Sequence, residues 1–570
     1  MTHQNPLKLK LMAATAASAL LLSACGGGGE TESVNAPSPA TKPAEVELSG
    51  ESPIYEPYTL TGASALDVDA FFAMMGDEDD PANVSYGSAN FDENTGATVI
   101  EQLTTTDEDS TLTVGRMELF GVNEAHIQAL KDTEGAVAKD EVFRKVRMFD
   151  VTVAGNGEDD AGGIVTIDGL EIDGLRLGGM TQDETAELGD GQEFAAAMKA
   201  FDLGAIYIDG LSMQGIETEG TGITMAVADM RFGGVSAGKF GPISIENMDY
   251  TITQSDEAKA ALIEAADPQM KAILGGPLGN IIMPGKQRAT IGSLTFDGFS
   301  FAGLLPYLES GESAPLSASN LLFFGKLEAR DAEMYVNDKL ASTTGYSVVE
   351  PVEFSWLVPT RIKSYSTDVV SNLTAYVPEE MPEMLTLFQE NGLDNLTGES
   401  EMLWTYDETS GDASLVIDTD TEGFANFDIS FNASEAVLET LHASATEGEG
   451  AAFQNVAIDG MTIRIEDEKL LDVIFAVAAS QMGQDPQQLR ASAPLMINMG
   501  GQQFAQMNPA FPAYLAAISN WIGTGGAIEI AVAPEAPVAL STLAATGESA
   551  PQTLPDVLGL SVTHTAPEAE

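Results

Sequence analysis

One repeated step constrains the fold of this chain more than any other feature. Two apolar residues flank a polar one, and a polar residue and a glycine follow. Val165-Thr-Ile167-Asp168-Gly169 runs into Leu170-Glu-Ile172-Asp173-Gly174 and then Leu175-Arg-Leu177-Gly178-Gly179. The step recurs at Ile206-Tyr-Ile208-Asp209-Gly210 with Leu211-Ser-Met213-Gln214-Gly215. It returns at Leu294-Thr-Phe296-Asp297-Gly298 with Phe299-Ser-Phe301-Ala302-Gly303, and singly at Ile243-Ser-Ile245-Glu246-Asn247 and Val456-Ala-Ile458-Asp459-Gly460. Residues two apart share one face of a strand, but the next pair starts three residues on and would face the other way. One extra residue per step, taken up as a bulge with glycine in the left-handed region, restores the facing. Asn247 fills that slot as the side chain that best tolerates it. These stretches read as long, strongly bent strands with one continuous apolar face, and the Phe-rich run 294–301 would line a groove on it. A pentapeptide solenoid would stack many consecutive copies, and here at most three adjoin.

Helical patches interrupt the strands. Asp190 is placed to cap a helix carrying Phe194, Met198 and Phe201, and Ser255 to start another through Leu262 and Ile263. Asp267-Pro268 reads as the start of a further helical turn. Asp467 precedes a helix through Leu470, Leu471, Ile474, Val477 and Ala478, Asp485-Pro486 opens the next, and 511–521 is a third. Residues 527–532 return as a strand closed by Pro534 and Pro537. The expectation is an α+β, β-dominant fold: a long curved antiparallel sheet with glycine bulges and helices packed against it.

The N-terminus reads as an export signal. Lys8 and Lys10 precede the apolar run 11–22, which is too short to span a bilayer. Leu22-Ser23-Ala24-Cys25 resembles the bacterial lipobox. In that family the cysteine is diacylated on sulfur, the bond before it is cut and the new amino group is acylated. Several chains make such an anchor stable, where one alone binds marginally. Gly26 stands where lipoproteins retained in the enterobacterial inner membrane carry Asp, so the resemblance implies the outer membrane. The expected organisation is a signal peptide over 1–24, and a lipidated cysteine with a disordered tether over 25–50. A β-rich region over 51–315, an α+β region over 316–545 and an acidic tail over 546–570 follow. The tether is rich in Gly, Glu, Pro, Ser and Thr and would hold the body roughly 25–30 Å from the bilayer.

Cys25 is the only cysteine, so no disulfide framework supports the fold. There are 87 acidic residues against 25 basic ones, and loss of Lys8 and Lys10 takes the net charge from −62 to −64. Such a surface repels nucleic acid and anionic membrane surfaces. Solubility in a salty medium accounts for it, and a cationic partner is the sharper alternative.

Residues from about 370 to 565 resemble an uncharacterised group of alphaproteobacterial envelope proteins. The stretches that carry the likeness are Trp404-Thr-Tyr406-Asp407-Glu408-Thr409-Ser410-Gly411 running into Leu415-Val416-Ile417, and Met461-Thr-Ile463-Arg464-Ile465-Glu466-Asp467. Asp485-Pro486-Gln487-Gln488-Leu489-Arg490 and the Pro-rich exit 534–540 complete it. The likeness implies fold and compartment and supplies no catalytic residue.

Catalytic patterns are few. Gly234-Val235-Ser236-Ala237-Gly238 matches the serine-hydrolase elbow, and Ser236 to Lys239 spells S-x-x-K, but a strand signal follows where a helix is needed. Asp418-Thr-Asp420-Thr-Glu422-Gly423 begins like a calcium loop, yet Ile429 stands where the bidentate Glu belongs, and a hairpin is expected. The acidic runs 77–80 and 158–160 read as solvated loops. His3, His126, His442 and His564 lie far apart, and Gly285-Lys286 lacks P-loop spacing, so no metal or cofactor is implied. The expectation is a non-enzymatic, lipid-anchored envelope protein, structural or binding an apolar ligand such as lipid. The alternatives are a surface protein that binds cations or a basic partner, and then a serine hydrolase.

Overall fold

The computed structural model describes residues 53–75, 83–106, 110–131, 137–155, 163–179, 189–218, 220–265, 270–271, 283–379, 381–439, 442, 456–501 and 508–567. Leu22, Ser23, Ala24 and Cys25, the tether to residue 50, His3, the runs 77–80 and 158–160 and the Asp267-Pro268 step lie outside the described residues. The chain forms two compact units that divide between Asp338 and Lys339. Both are β-dominant and antiparallel, with helices added, as the strand patterns predict.

In the first unit, β1 (Asn83–Ser85) and β2 (Ser88–Asp92) pair with β3 (Ala97–Thr106), which pairs with β4 (Ser110–Phe120). Beyond them, each long strand is prolonged by a short one. β5 (Val137–Phe143) leads past Arg144 into β6 (Lys145–Gly155), and β7 (Ile164–Ile172) past Gly174 into β8 (Leu175–Gly179). β9 (Phe201–Leu203) leads into β10 (Ile206–Thr218), and β11 (Thr221–Phe232) into β12 (Val235–Ser236). β13 (Lys239–Phe240) leads into β14 (Ile243–Gln254), β15 (Lys286–Phe296) into β16 (Phe299–Ser300), and β17 (Phe323–Phe324) into β18 (Leu327–Val336). The long members make one sheet, ordered β3-β4-β6-β7-β10-β11-β14-β15-β18. The short ones make another, ordered β5-β8-β9-β12-β13-β16-β17.

Two lines cross the strands, and the five-residue step is the strip between them. At the first, the chain passes from long sheet to short sheet through glycine. A Cβ on Gly204 would sit 1.5 Å from the Asp173 carbonyl oxygen, and one on Gly298 (φ 102°) 2.4 Å from that of Phe240. At the second, Gln102, Asp150, Gly210, Asn247 and Asp331 lie on alternate strands with φ between 52° and 65°. Their neighbours on the strands between are Gly115, Asp168, Ala228 and Gly292. Register is the same on both sides of this line: Asp209 pairs with Asp229, and Leu211 with Val227. The expected extra residue per step is therefore replaced by a reversal of facing made on both strands at once. This keeps the ladder intact, where a one-sided insertion would shift it. A one-sided bulge does occur between Met213 and Ile216, with Gly215 at φ 70°. Gly169 stays outside the left-handed region. The run 294–301, read as one strand, breaks at Gly298 and serves both sheets.

Among the described residues the first unit carries the helices α1 (Val68–Met75), α2 (Glu124–Lys131), α3 (Asp190–Ala200), α4 (Asp256–Ala265) and α5 (Leu305–Ser310), and residues 270–271 are also helical. Gly189, not Asp190, is the N-cap of α3, and Phe201 already belongs to β9. Ser255 caps α4 as expected, its Oγ accepting from the Ala258 N–H at 3.1 Å.

The second unit begins with β19 (Lys339–Val349), β20 (Glu353–Ser355), β21 (Val358–Ser371) and α6 (Pro382–Glu390). β22 (Leu396–Tyr406), β23 (Ala413–Thr421), β24 (Ala425–Ser434) and β25 (Ala457–Asp467) continue a meander. Helices α7 (Leu470–Met482), α8 (Pro486–Gly501) and α9 (Phe511–Thr524) follow, opened where Asp467, Asp485 and Phe511 predict. The Asp467 carboxylate accepts from the Leu471 N–H at 2.9 Å, and that of Asp485 from Gln488 at 3.0 Å. β26 (Gly526–Val532) and β27 (Val538–Ala539) pair with β25. The segment read as an acidic tail carries the last turn of α10 (Leu540–Ser549), then α11 (Leu554–Val557) and β28 (Leu560–Thr565), which pairs with β26. The alternation of Leu560, Val562 and His564 earns that strand a place in the sheet.

Candidate functional site

The long sheet of the first unit is cleanly two-faced. Ile100, Met117, Met148, Leu170, Ile208, Met230, Ile245, Leu294 and Ala329 stand side by side across it. Across the line of left-handed residues the same face continues as Leu103, Val114, Val151, Ile167, Leu211, Val227, Met248, Ile291 and Ala332. Outer rows, from Thr98 to Leu327 and from Thr105 to Met334, are apolar apart from those two threonines and the hydroxyl of Tyr250. The reversal makes this possible: without it Ile100 and Leu103 could not share a face.

Cover is uneven. At the β3–β4–β6 end, Val68, Phe71 and Phe72 of α1 pack on Ile100, Leu103, Val114 and Val151, and Ile100 is fully buried. Helices α3 and α5 pack together, α3 also reaches β8 and β9, and Phe194 stacks on Phe301 at 5.4 Å. Among the described residues no helix packs along β10, β11, β14 or β15. In the apolar rows over β10–β18, Val227, Ala289 and Ile291 are buried and the other side chains are half-buried. From β10 to β18, four apolar rows across five strands cover about 20 Å by 20 Å. Soluble monomers seldom leave a patch of several hundred Å² open unless it binds something. Met213, Met225, Met230, Met248 and Met334 sit in these rows, and methionine adapts to irregular apolar partners.

The other face is polar and is clamped by the N-terminal segment. Glu171 is wholly buried between Lys145 and Arg147, bonding Arg147 Nε at 2.6 Å and the Lys145 ammonium. Arg147 also donates to the Pro53 carbonyl at 3.1 Å, buried Ile54 lies over Gly169, and the Tyr58 ring sits 4.8 Å from Lys145 Nζ. Tyr55 donates to Asp209 at 2.6 Å. The trio is fully paired and closed to solvent, an arrangement that holds structure and offers no reactive group.

The residues singled out for chemistry are not brought together. Ser236 lies in the β12–β13 hairpin with no helix after it. Its hydroxyl donates to Asp202 at 2.6 Å, and Lys139 pairs with the same carboxylate at 2.9 Å. Burial raises the pKa of Asp202, but the Ser236 and Lys139 hydrogen bonds outweigh it and hold the carboxyl below its ordinary value. No histidine is within this set. His126 is buried with Nε2 2.8 Å from the Leu177 carbonyl oxygen, His442 lies against Trp356, and His564 Nε2 is 2.8 Å from the Gly525 carbonyl oxygen. Asp418 and Asp420 belong to β23, which forms with β24 the hairpin expected at this acidic turn. There Asp418 faces Glu401 and Asp428 across the strands. Burial first, then Asp428, Asp420 and Glu401, push its carboxyl above the ordinary range. Among the described residues no three His, Cys, Asp or Glu side chains converge to hold a metal ion. Gly285 precedes β15, and Lys286 pairs with Asp338 at 2.6 Å.

Fold and face together define, in the first unit, an antiparallel sheet with one polar and one apolar side, the apolar side without a helix packed along β10, β11, β14 or β15 among the described residues. Residues 418–565, the span from β23 to β28, match the model of a family described as "Uncharacterized protein". No curated protein matches the chain.

Proposed function

We propose that this chain is a lipid-anchored outer-membrane protein of the cell envelope, without enzymatic activity, whose open sheet face holds the acyl chains of a lipid. The observation that carries the reading is the unbroken set of apolar rows over β10–β18, half-buried apart from Val227, Ala289 and Ile291, along which no helix packs among the described residues. Each methylene shielded from water there contributes about 0.8 kcal/mol, so partial cover of one acyl chain supplies several kcal/mol. The lipobox-like Leu22-Ser23-Ala24-Cys25 supports the compartment, where such ligands are at hand. Lipid extraction and mass spectrometry of protein purified from membranes test the idea. Wild type is expected to carry lipid in near-stoichiometric amount, and Met230→Glu with Met248→Glu at least tenfold less, with unchanged circular dichroism. Equal or no lipid in both proteins would sink the face as a binding site. Membrane fractionation of Cys25→Ser checks the anchor separately, since a variant that still sediments with membranes would remove the compartment alone.

A further inference from the structure

We infer that helices α7 and α8 of the second unit present a bilayer-contacting surface, independent of the sheet face. Asp472, 59% exposed in the first turn of α7, is the one carboxylate on α7 or α8. From Val473 to Ile528 only Asp485 and Arg490 are charged, in a chain of which 20% is charged and whose net charge is −62. Arg490 points inward: its guanidinium donates to the Ile522 carbonyl at 2.7 Å and pairs with Asp472 and, at 3.9 Å, with Asp467. On α8, Leu495 is 65% exposed, Met496 54% and Met499 66%, while Leu489 and Ala493 on its inner side are buried. On α7, Ile474 and Met482, two turns apart on one side, are 48% and 55% exposed. An α-helix apolar on both sides is built for burial or for lipid.

The polar groups beside these residues decide between lipid and a protein partner. Asn498 donates to the Pro494 carbonyl at 2.8 Å and to Ser519 at 3.2 Å. Ser492 donates to the Leu489 carbonyl at 3.0 Å, and Thr524 to that of Asn520 at 2.8 Å. A protein interface needs roughly one hydrogen bond per 100–200 Å², and these side chains are already engaged within their own helices or, for Asn498, also with Ser519 of α9. A bilayer asks for none, and α8, which carries no carboxylate, meets its acyl region without the cost of desolvating one, while Asp472 of α7 is paired with Arg490. Among the described residues no helix is long and apolar enough to cross a membrane, so the contact is with one leaflet, about 5–10 Å deep.

The full chain, mixed with phosphatidylcholine vesicles bearing a photoactivatable acyl chain and irradiated, gives lipid adducts that peptide mass spectrometry locates. Adducts are expected on residues 486–501. Leu495→Glu with Met499→Glu should cut them at least fivefold while adducts on β10–β18 persist, and Leu495→Gln with Met499→Gln should do so to a smaller extent. The idea is overturned by the absence of adducts on 486–501, or by adducts undiminished in the glutamate variant. It is equally overturned if light scattering shows a dimer that the glutamates dissolve, which would give the surface to a second copy of the chain. Adducts on α8 alone would leave this surface standing while removing the sheet face.

Discussion

Tyr55 is the clearest single residue at which the fold depends on a proton. Its phenol is pushed from 10.0 up to about 12, first by the hydrogen bond to Asp209, then by burial and by the charges of Asp209, Asp168 and Asp150. The folded chain therefore holds this proton more tightly than the unfolded one does. The contribution is complete below the unfolded pKa of 10.0 and is lost as pH climbs through the folded value of about 12. In urea titrations the stability difference between wild type and Tyr55→Phe should shrink across that window, and a constant difference would contradict the assignment. Nothing in the sequence marks this contact, because Tyr55 and Asp209 are separated by most of the unit. The same holds for Glu171. The alternation of Lys145 and Arg147 is visible in the chain, but the acids that neutralise them, Glu171 and Asp173, come from the next strand of the sheet and the residue just past its end.

At the scale of elements, the five-residue step was readable as bent strand, and its single apolar face was too. What one strand could not reveal was how its neighbour answers. Ala228 and Gly292 carry no signal of their own, and Gln102, Asp150 and Asp331 adopt left-handed backbone at positions where no glycine advertises it. The second line exists only once strands are paired, which is why a one-sided bulge was the natural expectation. Asn247, at φ 52°, is the test position. Asn247→Gly should leave the unfolding free energy from denaturant titration within about a few tenths of a kcal/mol of wild type. Asn247→Val should cost about 1–2 kcal/mol, the penalty a branched residue meets in the left-handed region. Equal effects would mean the line is not what positions these strands. The strand at 560–565 was missed for a related reason: its apolar residues are few, and pairing with β26 supplies what composition does not.

For the whole molecule, charge and apolar surface are separated by face. Carboxylates account for 87 residues, yet the four rows over β10–β18 contain none. The motifs that suggested catalysis dissolve at this scale, because Ser236, Asp418 and the histidines occupy separate elements. The central claim is that the open face receives an acyl chain, and methyl NMR of the protein labelled at methionine tests it most directly. Titration with a short-chain phosphatidylcholine, kept below its micelle concentration, should move the methyls of Met213, Met225, Met230, Met248 and Met334. Met384, on the buried side of α6, should stay still. Stationary signals from those five at saturating lipid would contradict the account.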